Sequence, residues 1–250
     1  MNIFSTNLKI PGLETDDAWV YAFGGKILGE PDCHNSKTKM GSALAEKLLG
    51  KMNIEFHEVF LTQQTHGNQV YILESHSISS GRVSQIKADA IITNLKRKPI
   101  AVLTADCVPI VLYDPESKTI GIVHAGRRGT VLRVLSKAIQ HMKDLYGIEK
   151  KSICAGIGPA INSCCYKVGG ECIEEFRNNL SGWRRWTQSD GNGNFFLDLI
   201  AANREEALDE GLLEKNIFIS NRCTACENEL FYSYRKEGTG NRNVSLVMLY

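Results

Sequence analysis

The chain has 250 residues, 43 % hydrophobic and 23 % charged, an ordinary globular balance with room for one large domain or two small ones. Its 29 Lys and Arg nearly cancel 28 Asp and Glu, leaving +1, so the composition gives no reason to expect nucleic acid or a membrane surface as partner. Met1 to Gly12 lack the basic-then-apolar pattern of a signal peptide, and no apolar run approaches the ~20 residues of a membrane span. A cytoplasmic protein is expected.

Val20 to Gly25 reads as a strand and tight turn, and Pro31 to Lys39 as loop. Met40, Ala43, Leu44 and Leu48 recur at helical spacing, with Gly50 placed to end the helix. Val59–Thr62 and Val70–Leu73 read as strands on either side of a polar turn, Gln63 to Asn68, which carries His66. Ser75 to Lys87 is serine-rich and aperiodic, a loop. Ala88–Thr93, Ile100–Leu103, Pro109–Tyr113 and Thr119–His124 are further strands, the last two joined by the turn Asp114-Pro115-Glu116-Ser117. Thr130 is placed to cap a helix with Val131, Val134, Leu135, Ala138, Ile139, Met142 and Leu145 on one face, ended by Gly147. A strand at Ile153–Ile157, a loop at 158–166 and a helix through Ile173 and Phe176 follow. Trp183 to Asn194 reads as a polar loop, with Trp183, Trp186, Phe195 and Phe196 as local anchors. Asp198 opens a helix through Ala207, with Gly211 at its end, and Ile217–Ser220 and Ser245–Tyr250 are the last strands. No repeat or linker divides the chain, so one mixed α/β or α+β domain over residues 1–250 is expected.

Eight cysteines without a secretion signal point to buried thiols, metal ligands or catalytic groups, not disulfides. Three residues stand out: His66, Cys107 and His124. They are distant in sequence and lie at strand ends or turns, unlike the local ligand pairs of a structural zinc ribbon. Three N/S ligands from separate rigid elements match a catalytic zinc site with an open fourth position. Satisfied core groups are the bland alternative. Cys223-Thr-Ala-Cys226 has the form of a metal knuckle or redox pair, but adjacent Cys164 and Cys165 look poorly placed to share one ion. Structural thiols are the favoured reading there, a reversible disulfide the lesser one.

Several motifs together resemble one family. They are Gln-Thr-His-Gly (64–67), Ala-Asp-Ala (88–90), Thr-Ala-Asp-Cys-Val-Pro (104–109), His-Ala-Gly-Arg-Arg-Gly (124–129), Gly-Pro-Ala-Ile (158–161) with Cys-Cys-Tyr-Lys-Val-Gly (164–169), and Phe-Tyr-Ser-Tyr-Arg (231–235). Their order and spread resemble the laccase-domain, or multicopper polyphenol oxidase-like, family, which is associated with purine nucleoside phosphorolysis and deamination. The resemblance implies α/β/α layers related to the catalytic domain of cytotoxic necrotizing factor, and zinc held by His66, Cys107 and His124. It implies phosphorolysis of adenosine, inosine or methylthioadenosine and deamination of adenosine.

Zinc would act as a Lewis acid. Asp106 is a candidate general acid/base, or an orienting group for a ligand. Arg128 is a candidate phosphate clamp, because a guanidinium matches phosphate oxygens two at a time, and Gln64 is a second substrate-binding candidate. Arg127, Lys167 and Ala22 depart from the family pattern, with Lys26 a possible replacement charge. A multicopper oxidase needs many paired histidines, and the six here, His34, His57, His66, His76, His124 and His141, include no His-x-His. Copper is therefore disfavoured. A metal-free cysteine hydrolase built on Cys107 and His124 leaves His66 without a role. A non-catalytic interaction module is the remaining alternative.

Overall fold

The computed structural model describes residues 10–14, 17–29, 37–75 and 85–250. Two largely apolar runs, β5 (Val108–Asp114) and β6 (Thr119–Ala125), pair antiparallel and are buried along their whole length. Asp114 closes the turn between them by accepting the Ser117 N–H at 2.7 Å. The hairpin lies at the centre of a six-stranded mixed sheet completed by β2 (Val70–Ile72), β3 (Ala90–Thr93), β7 (Cys154–Ile157) and β11 (Ile217–Ile219), in the order β11-β7-β5-β6-β3-β2.

Both faces of this sheet are covered, which is why its strands read as continuous apolar runs. Side chains still alternate with the period-two geometry of a strand. Val111, Tyr113, Ile120, Ile122 and Ile91 enter one core, while Ile110, Leu112, Val123, Ala90 and Ile92 enter another. The first core lies against a second, antiparallel sheet of β1 (Trp19–Gly24), β12 (Asn243–Leu249) and β4 (Ile100–Thr104), with β12 in the middle. Helix α1 (Lys37–Lys51) packs onto that sheet through Met40, Leu44, Leu48 and Leu49. The second core is covered by α2 (Arg127–Val131), α3 (Val134–Tyr146), α4 (Gly170–Asn179) and α5 (Leu199–Asp209). A third sheet, β8 (Lys167–Gly169), β10 (Asn194–Leu197) and β9 (Thr187–Ser189), and the short helix α6 (Tyr234–Glu237) complete the strands and α-helices of the described residues.

The mixed α/β class is as expected, but two sheets stack where the α/β/α expectation has one. The reason is local. β4 and β5 are separated by only Ala105, Asp106 and Cys107, yet they belong to different sheets. The chain crosses between them through Asp106, whose φ of 90° lies in a region that non-glycine residues seldom occupy. Residues 104–107 are thus forced to the rim where the two sheets meet.

Other expectations shift by a few residues. Thr130 does not cap a helix. Gly126 precedes α2, and Arg133, left-handed at φ 56°, separates α2 from α3. Gly50 lies inside α1 instead of ending it. Val59–Thr62 forms only an isolated bridge, Phe60 to Ile100. The loop expected over Trp183–Asn194 contains β9 and the hairpin turn into β10, where Asp190 accepts the N–H groups of Asn192 and Asn194. Most of the loops expected at 31–39 and 75–87 lies outside the described residues. Gly147 and Asp198 cap as expected, Gly147 at φ 67° and Asp198 accepting from the Ala201 N–H at 2.8 Å. None of the described helices is long and apolar enough to cross a membrane.

Helices α3 and α5 meet over a buried charge. Glu206, 6 % exposed, accepts the Ser136 N–H at 2.7 Å. Burial pushes its carboxyl up to about 7, even though the Ser136 hydrogen bonds oppose the rise. The folded chain therefore takes up a proton that the unfolded chain has already lost between roughly pH 4.5 and 7, and stability falls as pH rises through that window. Glu206→Gln keeps the acceptor and removes the charge. It should stabilise the fold by on the order of 1–3 kcal/mol at pH 8 and change little at pH 5, read from denaturant midpoints at the two pH values. Equal effects at both would disprove the account.

Candidate metal centre

His66, Cys107 and His124 come together at that rim, with one ligand atom from each lying within 4.8 Å of the other two. Each is delivered by a different device. His124 lies near the end of β6, opposite Pro109 of β5. Cys107 follows the crossing residue Asp106 and immediately precedes β5. His66 sits in the turn before β2, itself left-handed at φ 58°.

That turn is shaped by Asp89, fully buried just ahead of β3. Its carboxylate accepts the backbone N–H groups of Thr65 (3.2 Å), His66 (2.9 Å) and Gly67 (2.8 Å), and the Thr65 hydroxyl (3.0 Å). The same carboxylate meets His124 Nδ1 at 2.9 Å. This leaves His124 Nε2 as the ring's ligand atom and fixes its tautomer, the usual support for a metal-bound imidazole. One side chain therefore orients two of the three candidate ligands. Asp89 lies within the Ala-Asp-Ala motif but carried no expected role, because an aspartate beside a strand gives no sign of what it will face.

Gly126 allows the three to close. A Cβ there would stand 3.0 Å from both Cys107 Sγ and His66 Cδ2. Its own backbone, at φ −75°, would accept any residue, so the requirement is space and not conformation.

His124 is polarised between Cys107 on one side and Asp89 on the other. Burial by itself would raise the Cys107 thiol, but His124 and His66 beside it bring it down to about 6. Burial would lower His124, yet the Cys107 thiolate and Asp89 push it up to about 9. Asp89, which burial alone would raise, is held at about 2 by His124 and by its N–H and hydroxyl donors. A thiolate and two imidazoles aimed at one point form a donor set of borderline softness, fitted to zinc or a similar late transition ion.

The cluster lines a cavity of about 830 Å³. Gln64 and Asp106 line it too, but both are engaged. The Gln64 amide exchanges two 2.8 Å hydrogen bonds with the Leu103 main chain. The Asp106 carboxylate accepts from Thr224 Oγ1 at 2.7 Å and from the Arg235 N–H at 2.6 Å. Arg128 is exposed and is not among the lining residues. Its neighbour Arg127 lines the cavity instead, paired with Glu175, and so do Arg235 and Arg242. Arg235 lies 5.2 Å from the Tyr166 ring centre, on the cavity wall. Of the other departures, Ala22 is buried in β1, Lys167 pairs with Asp190 at 2.7 Å, and Lys26 pairs with Glu237.

The model of the multi-copper polyphenol oxidoreductase laccase family matches residues 38–250. The chain belongs to that family. Among its relatives is adenosine deaminase RL5 from an unknown prokaryotic organism, 32 % identical over 195 residues, 75 % of this chain and 73 % of the relative. Another is a purine nucleoside phosphorylase of Aquifex aeolicus, 33 % identical over 218 residues, 86 % of this chain and 93 % of the relative. The crystal structure of the hypothetical protein YfiH of Bacillus licheniformis superposes with a TM-score of 0.83 at 26 % identity, covering 97 % of this chain and 99 % of that one. The names of these relatives support a purine nucleoside-processing activity in the family.

Two substitutions test the centre. Gly126→Ala should leave the fold intact and weaken metal binding by about 10-fold or more, because its methyl group displaces a ligand. Asp89→Asn should weaken it on the order of 10–100-fold by releasing the His66 turn and the His124 tautomer. Titration calorimetry on the metal-free protein reads both, and wild-type affinity in either variant would refute the assigned geometry.

Proposed function

We propose that the chain is a zinc enzyme of purine nucleosides, cleaving the glycosidic bond with phosphate and deaminating adenosine. The observation that carries this reading is the convergence of His66, Cys107 and His124 on one wall of a cavity also lined by arginines and a tyrosine. The names of the relatives supply the substrate class. We take residues 1–250 as one laccase-domain unit, related to the catalytic domain of cytotoxic necrotizing factor.

His66, Cys107 and His124 would hold the ion. When bound, zinc supplies Lewis-acid polarisation, useful both at the purine C6 position and at a departing base. Asp89 holds a proton on His124 Nδ1, so that Nε2 stays a ligand. Asp106 acts as a positioning residue: with both carboxylate oxygens engaged, it fixes Cys107 from one side and residues 224 and 235 from the other. Phosphate recognition passes from Arg128 to Arg127, Arg235 and Arg242, whose charges line the cavity. Gln64 shapes the wall through Leu103.

One observation favours a second reading. A thiol held at about 6 beside a raised imidazole also describes a cysteine nucleophile with its base. Copper chemistry finds less support, since His57 and His141 join no ligand cluster among the described residues.

Incubating the protein with adenosine, with and without phosphate, and separating the products decides among these. Adenine should form only with phosphate, and inosine in its absence. His66→Ala should lower both activities about 100-fold or more and remove one zinc per chain. If neither adenine, inosine nor hypoxanthine appears, the nucleoside assignment is wrong. Hydrolytic activity in zinc-free protein, abolished by alkylating Cys107, would establish the cysteine enzyme instead.

A further inference from the structure

A second group of ligand-type side chains lies outside the cavity lining. Cys164 and Cys165 come from the loop between β7 and β8, and Cys223 and Cys226 from the segment between β11 and α6. Their sulfur atoms all lie within 4.8 Å of one another. Cys164 Sγ is 3.8 Å from Cys165 Sγ and 3.5 Å from Cys226 Sγ, and Cys165 Sγ is 3.4 Å from Cys226 Sγ.

These distances discriminate between chemistries. A disulfide requires about 2.05 Å between sulfurs. Four thiolates around one tetrahedral ion at about 2.3 Å stand about 3.8 Å apart along each edge. The observed spacing fits the second arrangement, and it is too close for sulfurs that belong to the separate irons of a cluster. Adjacent cysteines look awkward as co-ligands in sequence, but the turn through residues 163–165 brings both sulfurs to the same side.

The surroundings suit a metal as well. Backbone N–H groups of Asn162, Ala225 and Cys226 are directed at Cys223 Sγ, the Asn162 contact being 3.4 Å, as in a Cys-x-x-Cys knuckle gripping an ion. The apolar support here is small: Ile161, Cys223 and Ala225 are the buried members of their own cluster. Two loops are stitched together with little core beneath them, the circumstance in which small folds use a structural metal. Cys164 and Cys226 are exposed, so an ion has a way in.

We propose that Cys164, Cys165, Cys223 and Cys226 form a mononuclear tetrathiolate site for a zinc-class divalent ion, separate from the His66/Cys107/His124 centre. Binding releases the thiol protons to solvent and forms four metal–sulfur bonds, with no change of oxidation state. The site has a structural consequence for the cavity. Thr224, inside the knuckle, donates to Asp106, and Tyr166, next to Cys165, forms part of the cavity wall. The ion would clamp the two loops that hold these residues and thereby position the first centre.

Elemental analysis of the reduced full chain, loaded with zinc and freed of excess, should give two equivalents. Cys226→Ser and His66→Ala should each remove one, and the double variant both. Cobalt loading gives a readout independent of activity. The wild type and His66→Ala should show the strong sulfur-to-metal charge-transfer absorption of a tetrathiolate site, and Cys226→Ser should lose most of it. Because the wild-type stoichiometry needs no variant, a misfolded mutant leaves the test intact. A single equivalent that Cys226→Ser retains, or a wild-type cobalt spectrum without that sulfur-to-metal absorption, overturns the proposal. So does free reaction of these four thiols with a thiol reagent in the zinc-loaded protein, or a mass short of two hydrogens per cysteine pair in protein kept under reductant. None of these results depends on the nucleoside reaction.

Discussion

The Asp89 carboxylate is the constraint on which the rest of the metal centre hangs. A buried, ionised carboxylate is tolerable only if its oxygens are saturated with donors, and here the donors belong to the functional turn itself. The backbone of residues 65–67, the Thr65 hydroxyl and the His124 ring all converge on it. The cost of burying the charge is thereby converted into rigidity of the two histidines. Asp89 sits at the entry to β3, whose hydrogen bonds to β6 run alongside His124, so the anchor and one ligand ride on neighbouring strands of the same sheet. That is a stiffer arrangement than ligands on loops alone provide.

The second organising fact is the crossing at Asp106. Moving from one sheet to the other within three residues places Cys107 at the seam, and it gives the cavity two walls that belong to different sheets. The strained residue is held from outside, by Thr224 and the Arg235 N–H, and not by its immediate neighbours. Strain maintained by distant parts of the chain is typical of functional sites. Here it makes the geometry around Cys107 depend on the segment 223–235, more than a hundred residues further along.

Much of this was legible in the sequence. Long apolar runs around a strong turn located the central hairpin, and helical spacing located α1, α3 and α5. His66, Cys107 and His124 were singled out by chemistry, and the family motifs then joined them. What was not legible depends on facing. Arg127 and Arg128 are chemically alike and adjacent, but successive helical residues point about 100° apart, so one lines the cavity and the other faces solvent. Asp89 and Gly126 matter because of what approaches them through space. The short strands β8, β9 and β10 carry too few alternations to be distinguished from loop. The adjacent cysteines at 164 and 165 pose a similar problem: whether neighbouring side chains diverge depends on the turn, which sequence spacing does not encode, and here both sulfurs lie close to Cys226 Sγ.

The position of β12 carries a consequence for how the chain is made. It is the middle strand of its sheet, yet it is the last of the described elements to leave the ribosome. Until it arrives, β1 and β4 have no partner between them, and each presents an unpaired edge together with apolar residues such as Tyr21, Phe23 and Val102. The central hairpin and the helices on its far face can assemble during synthesis, whereas the smaller sheet closes only afterwards, through pairings more than a hundred residues apart. The nascent chain is therefore most prone to aggregation on the side that β12 later seals.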